Sequence, residues 1–286
     1  MSSKTNVKEL VKNGETYIVK SVTCPEKRVL LQDEINNLKR IQSKEIPGVI
    51  KCVYANANDE ECVLVTRKVS GFYNFSNVRS LLASCIDVHD LWFREILFQI
   101  LYSVACLQFF FPGFRHNDLK ADNVLLDVDL NKKVSNFSWP PPSPHFDRDS
   151  TTTRKWTLNS GIKTLLIDFE VSSSRGDNED HLKSRSHSYA PSMFGLSSER
   201  CDMFDIHLLF AELRLYAPFK SWGPSFILFC NDFFDTSMFD SPIYCTSQSR
   251  LNLDAQQTFM TTRWTLYDNF LLRLLSHDYF GHLRTD

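Results

Sequence analysis

Apolar and polar positions change rhythm along this chain, from short β-branched runs near the start to long runs with helical spacing later. Residues 16–23, TYIVKSVT, are rich in β-branched and aromatic side chains, which suits a strand. Pro25 interrupts it. Over 28–43, Leu30, Leu31, Ile35, Leu38 and Ile41 recur every three to four residues, the spacing of an amphipathic helix that Pro47-Gly48 closes off. Two further strand-like runs, 49–55 and 61–69, are joined by the turn-rich 56–60. From about Phe75 onward the long apolar segments read as helices: 87–111, 202–215 and 265–276. The most apolar of these, 96–111, is shorter than the ~18–20 residues a bilayer needs and carries Gln99 and Gln108. It reads as a buried core helix, with no membrane insertion.

The pattern breaks at 135–153, where Pro140, Pro141, Pro142 and Pro144 stand among serines and threonines. Such a stretch predicts a surface excursion rather than a packed element. No internal repeat is present. The expected class is α+β, with three parts: a β-rich lobe over 1–67, a hinge over 68–74, and a larger, mainly helical lobe over 75–286 with a Pro-rich insertion near 135–160.

Composition narrows the function. With 286 residues, 43% hydrophobic and 23% charged, the chain can bury a sizeable core, and a disordered tail or collagen-like fibre is excluded. The net charge of −2 supplies no basic field, so no nucleic-acid partner is expected. Phe 23 against Gly 9 predicts a thick aromatic core with few positions of positive φ. The cysteines are scattered without a C-x-x-C pair, so zinc-finger and thioredoxin chemistry are not expected. The segment MSSKTNVKEL has no apolar leader core, and Ser2 stands where N-myristoylation needs glycine. Reduced cysteines in a cytoplasmic protein are the expectation.

The chemistry-bearing stretch is His116-Asn117-Asp118-Leu119-Lys120-Ala121-Asp122-Asn123, which fits H-x-D-L-x-x-x-N. Downstream, the apolar strand Leu165-Leu166-Ile167 ends in Asp168-Phe169-Glu170. A carboxylate directly after a buried strand is costly unless it has a task. Upstream, Val19-Lys20 ends the strand YIVK, and Glu34 lies on the predicted helix. A lone lysine or glutamate at such positions is ordinarily a solvated face; five residue types in this order, each on a fitting element, are not.

Together these motifs resemble the protein-kinase superfamily over nearly the whole chain. The stretch from Cys201 to Leu209 is similar to the D-x-W-S-x-G helix of the large lobe, and that from Leu274 to Phe280 is similar to the closing helix and its aromatic cap. A weaker similarity is to kinases of large DNA viruses. The resemblance implies a bilobal protein-kinase-like fold and ATP-dependent phosphoryl transfer to Ser/Thr hydroxyls of protein substrates, with Mg²⁺ (or Mn²⁺). It also implies roles. Lys20 holds the α/β-phosphates and is fixed by Glu34. Asn123 and Asp168 hold the metal. Asp118 orients the acceptor hydroxyl and takes its proton, and Lys120 neutralises the transferred group. His116 reads as structural, and His207 as a packed core histidine.

The departures are specific. No G-x-G-x-x-G precedes Lys20, Glu170 replaces the glycine of D-F-G, Ala190-Pro191-Ser192 lacks the glutamate of A-P-E, and Asn117 replaces the arginine of H-R-D. Without that arginine, activity is expected to be independent of phosphorylation in 171–189. Two alternatives stay open: a weak or inactive kinase-like scaffold, and a small-molecule kinase, because His116-Asn117-Asp118 and Ile167-Asp168-Phe169-Glu170 look like choline and ethanolamine kinase signatures.

Overall fold

A computed structural model describes residues 5–69, 72–74, 86–128, 134–139, 153–174, 205, 206, 209, 224–233 and 270–285. Strand β1 (Asn6–Lys12) turns through Asn13-Gly14 into β2 (Glu15–Val22), with both turn residues at positive φ, 54° and 77°. That is the pattern of a two-residue hairpin whose twist matches its strands. Helix α1 (Pro25–Gln42) follows, with proline in its first turn, where no N–H is missed. It buries Leu31, Ile35, Leu38 and Ile41 on one face and, unlike an ordinary apolar stripe, Glu34 as well. Strands β3 (Cys52–Ala57) and β4 (Cys62–Arg67) complete an antiparallel sheet of order β1-β2-β4-β3.

Beyond residue 69 the described residues hold helices and more strand than the sequence pattern predicts. Strand β5 (Phe72–Asn74) precedes α2 (Ile86–Phe110), and β6 (Val124–Val128), β7 (Ser135–Trp139), β8 (Arg154–Leu158) and β9 (Ile162–Leu166) come after it. One sheet has order β5-β6-β9, and β7 pairs with β8 alone. Further on lie α3 (Pro224–Phe233), α4 (Phe270–Leu275) and a 3₁₀ turn, Asp278–Leu283. Within the stretch 68–74, expected to connect the two lobes, Phe72–Asn74 pairs antiparallel with β6.

The core of this second region gathers around α2, where Ile96, Leu97, Phe98, Ile100 and Leu101 have no exposed surface. Phe98 lies 5.3–6.0 Å, ring to ring, from Tyr102, Phe137, Trp156 and Phe280. This corrects the reading of 135–153 as an unpacked excursion for 135–139 only. Its start is strand β7, Tyr102 donates its hydroxyl to Ser138 O at 2.6 Å, and Trp156 on the pairing strand is fully buried. The aromatics on either side of the prolines decide the matter, because burying large rings outweighs the low strand propensity of their neighbours. Residues 140–152 lie outside the described residues, as do 190–192, His207, most of 202–215 and 175–189.

Helix α2 is long and apolar enough to cross a membrane, and 78% of that window is buried inside the protein. Gln99 and Glu95 on it are satisfied internally. Gln99 donates to Ile162 O and accepts from the Thr164 N–H, and the Glu95 carboxylate accepts the Asn159 and Ser160 N–H groups. The two regions meet at Gly48, whose carbonyl accepts the Leu166 N–H at 2.8 Å while Leu166 O accepts from Ile50. Gly48 has φ +72°, and a Cβ there would collide with Ser103 Oγ, so glycine is required twice over. The described cysteines, Cys24, Cys52, Cys62, Cys106 and Cys230, are unbridged thiols.

Candidate active site

Lys20 leaves β2 between two strands, its Cα registered against Val7 and Leu64. Its ammonium donates to Glu34 Oε2 at 2.7 Å and to Asp168 Oδ1 at 3.3 Å, and Glu170 Oε2 lies 3.6 Å away. Burial alone would lower the ammonium's pKa, but Glu34, Asp168 and Glu170 together raise it above the ordinary lysine range. Burial pushes the Glu34 carboxyl up, and Lys20 offsets part of that rise. Helix α1 thus carries an internal carboxylate because a cation is waiting for it.

Asp168 follows β9 directly and sits at φ +66°, a left-handed conformation uncommon for a non-glycine residue. Phe169, fully buried, packs against Phe114 and the His116 ring. Asn37 on α1 donates to the carbonyls of Phe169 and Ser172, at 3.0 and 3.3 Å. The helix that supplies Glu34 therefore also grips the segment after Asp168. Glu170 is outside the positive-φ residues, so its side chain meets no backbone demand for glycine.

The loop 116–123 is held just as specifically. Asp205, fully buried, accepts the His116 N–H at 2.7 Å and the Asn117 N–H at 2.9 Å, one on each carboxylate oxygen. Burial raises the Asp205 carboxyl's pKa, and the charge and backbone N–H of His116, the Asn117 N–H and Arg115 pull it back. Asn117, at φ +65°, donates its amide to Val171 O and Ser173 Oγ. His116 has its Nε2 2.8 Å from Ile167 O, in keeping with a structural role. Asp118 accepts from Lys120 Nζ at 2.6 Å and from Asn123 Nδ2 at 3.0 Å.

Asn123 and Asp168 are far apart in sequence, but the β6–β9 ladder brings them together. Val124 pairs with Leu166, and the Ile167 N–H donates to Asn123 O at 3.0 Å. A cavity of about 1060 Å³ is lined by Lys20, Glu34, Asn123 and Asp168, with Ile18, Leu64 and Leu125 among its apolar walls. Asp118 is tied to Asn123, and Lys120 to Asp118. Four of the six candidates line the cavity, and the other two are linked to them by side-chain hydrogen bonds.

As a metal centre the residue types fit. Mg²⁺ takes hard oxygen ligands, Glu34, Asp168 and Glu170 offer carboxylate oxygens within 4.8 Å of one another, and Asn123 has its amide nitrogen committed to Asp118, leaving its oxygen for a cation. Sequence reasoning left the task of Asp205 unassigned and overlooked Asn37. An acidic residue inside the apolar run 202–215 was the available signal for the first; a polar asparagine one turn beyond Glu34 gave none.

The arrangement is kinase-like, and besides the departures in sequence the lysine's strand differs. Protein kinases carry this lysine on a third strand behind a glycine-rich loop; here it lies on the second described strand, behind a tight Asn-Gly turn. No family model matches the chain. Among known proteins it is 28% identical over 136 residues to the serine/threonine-protein kinase cds1 of Schizosaccharomyces pombe, covering 44% of this chain and 28% of that protein. It is 24% identical over 214 residues to a protein of Acanthamoeba polyphaga mimivirus that carries the name of a serine/threonine-protein kinase, covering 73% and 41%. A third match, 26% over 144 residues, is to serine/threonine-protein kinase PKH3 of Saccharomyces cerevisiae, covering 48% and 15%. The chain spans less than half the length of the curated relatives it matches. It is a divergent relative of the protein-kinase superfamily.

Proposed function

We propose that the protein transfers the γ-phosphoryl group of ATP to serine or threonine hydroxyls of a protein substrate, in a cleft between a lobe over 1–67 and a lobe over 75–286. The observation that carries this reading is the convergence of Lys20, Glu34, Asn123 and Asp168 on one cavity, with Asp118 hydrogen-bonded to Asn123 at its edge. Phosphoryl transfer needs little covalent help from protein. It needs positioning and neutralised charge. Lys20, steered by Glu34, grips the α/β-phosphates. Asn123 and Asp168 hold the metal, and a bound Mg²⁺ or Mn²⁺ supplies positive charge beside the phosphate oxygens. Asp118, fixed by Asn123, accepts the hydroxyl proton as that oxygen attacks. Lys120, 2.6 Å from Asp118, places a cation where the transferred group would pass.

A scaffold without catalysis is the second reading, favoured by the tight Asn13-Gly14 turn and the fully exposed β1 ahead of Lys20. The deciding experiment uses labelled ATP with Mg²⁺ or Mn²⁺, a generic acidic or basic protein, and choline as a parallel acceptor. Label on protein serine or threonine, cut by about 10³-fold in Asp118→Asn with ATP binding retained, is the expected result for a lost general base. Label on choline makes it a small-molecule kinase. No label, with no ATP-induced thermal shift, makes it a scaffold.

A further inference from the structure

Three carboxylates surround the Lys20 ammonium, and the third is the one that the kinase pattern does not supply. Glu34 at 2.7 Å belongs to the helix that steers the lysine, and Asp168 at 3.3 Å to the metal. Glu170 Oε2, at 3.6 Å, comes from the position where D-F-G has no side chain. Its side chain is 20% exposed and that of Lys20 23%, so the pair is largely withdrawn from water and only weakly screened. Among the described residues, three carboxylates lie within 3.6 Å of this one ammonium. A triphosphate entering there must take over the lysine and lie beside the carboxylates.

Resting on the proposed function, we infer that Glu170 is a positioning residue that competes with the nucleotide's phosphates for Lys20. It occupies the ammonium while the cleft is empty and releases it only against the phosphate oxygens. Two consequences follow. Nucleotide affinity is set below what the lysine alone would give, and it depends on a divalent cation more steeply than a D-F-G sequence would impose, because the cation offsets both Asp168 and Glu170. Glu170 has ordinary backbone geometry, so neutralising it removes charge without releasing strain.

The test is isothermal titration of the full chain with ATP, with and without Mg²⁺, comparing wild type, Glu170→Gln and Glu170→Gly. Thermal unfolding confirms that each variant is folded. Removing one partly buried ion pair should tighten ATP binding about fivefold without metal, and less with Mg²⁺ present. A second readout needs no nucleotide. Binding of inorganic tripolyphosphate without metal, read by the same titration, should tighten in both variants, because its oxygens no longer share the ammonium with Glu170. Unchanged affinity for ATP and for tripolyphosphate overturns the inference while leaving the site reading intact. Weaker binding of ATP with Mg²⁺, alongside unchanged metal-free binding, overturns it too by making Glu170 a metal ligand. If no form binds ATP, the site reading falls and the inference with it.

Discussion

The loop 116–123 and the β1–β2 hairpin both contribute to the lining of one cavity and are fastened by different means. In the loop, His116, Asn117 and Asn123 are buried, and one carboxylate, Asp205, takes two consecutive backbone N–H groups. In the hairpin, every residue of β1 is exposed, and the strand is held by its ladder to β2 and the turn Asn13-Gly14. Groups that handle a proton and a metal need sub-ångström placement, which buried, charge-assisted hydrogen bonds provide. A covering strand needs only to be present, and a backbone ladder suffices for that.

The contrast is breakable. The largest effect should come from Asp205→Ala, which leaves the amides of His116 and Asn117 buried without acceptors. At roughly 1–3 kcal/mol per orphaned group, a loss of about 3 kcal/mol is expected in urea denaturation. A loss under about 1 kcal/mol would show that the loop does not hang on this carboxylate.

Next is Lys20→Met, which strands Glu34 in the interior and should cost about 2 kcal/mol at pH 7, discounted for the lysine's partial exposure. Its pH dependence sharpens the assignment. Lys20 is held above the free-lysine value, so its contribution is fully present below about pH 10.4 and fades only as pH rises further. In the variant, Glu34 keeps its raised pKa without a partner, so the deficit should shrink as pH falls and the carboxyl takes up its proton. A deficit flat from pH 4 to pH 8 would mean that the pair contributes little.

The smallest effect belongs to β1. Val11 is 69% exposed, and Val11→Thr should stay within about 0.5 kcal/mol in thermal unfolding. A loss above about 1.5 kcal/mol would mean that something covers this face in solution, and the comparison would lose its second half.

Much of this was legible in the residues. The helical spacing of Leu31, Ile35, Leu38 and Ile41 located α1, and the fixed order of Lys20, Glu34, Asp118, Asn123 and Asp168 located the site's parts. Strand β1 was not legible, because NVKELVK alternates too weakly to signal burial and is in fact exposed throughout. The Asn13-Gly14 pair was the better cue. The 135–153 stretch misled because propensity weighs prolines locally, whereas Phe137 and Trp156 find their partners on α2, distant in sequence. Asp205 remained unassigned for the same reason: its hydrogen bonds reach back 88 and 89 residues.

Strand β8 carries a consequence for how the chain is made. One of its edges pairs with β7, but the other waits for the far end of the sequence: Trp156 bridges to Arg284, Lys155 O accepts the Thr285 N–H, and Arg154 donates to Ser276, 122 residues later. At roughly 5–20 residues per second, the ribosome delivers those partners on the order of ten seconds after β8 itself. For that interval a strand carrying a large indole has one edge open, the kind of template on which neighbouring nascent chains pair. Slow synthesis or crowded polysomes should therefore harm the yield of this protein more than its final stability suggests, and a holdase that shields residues 154–158 should restore it.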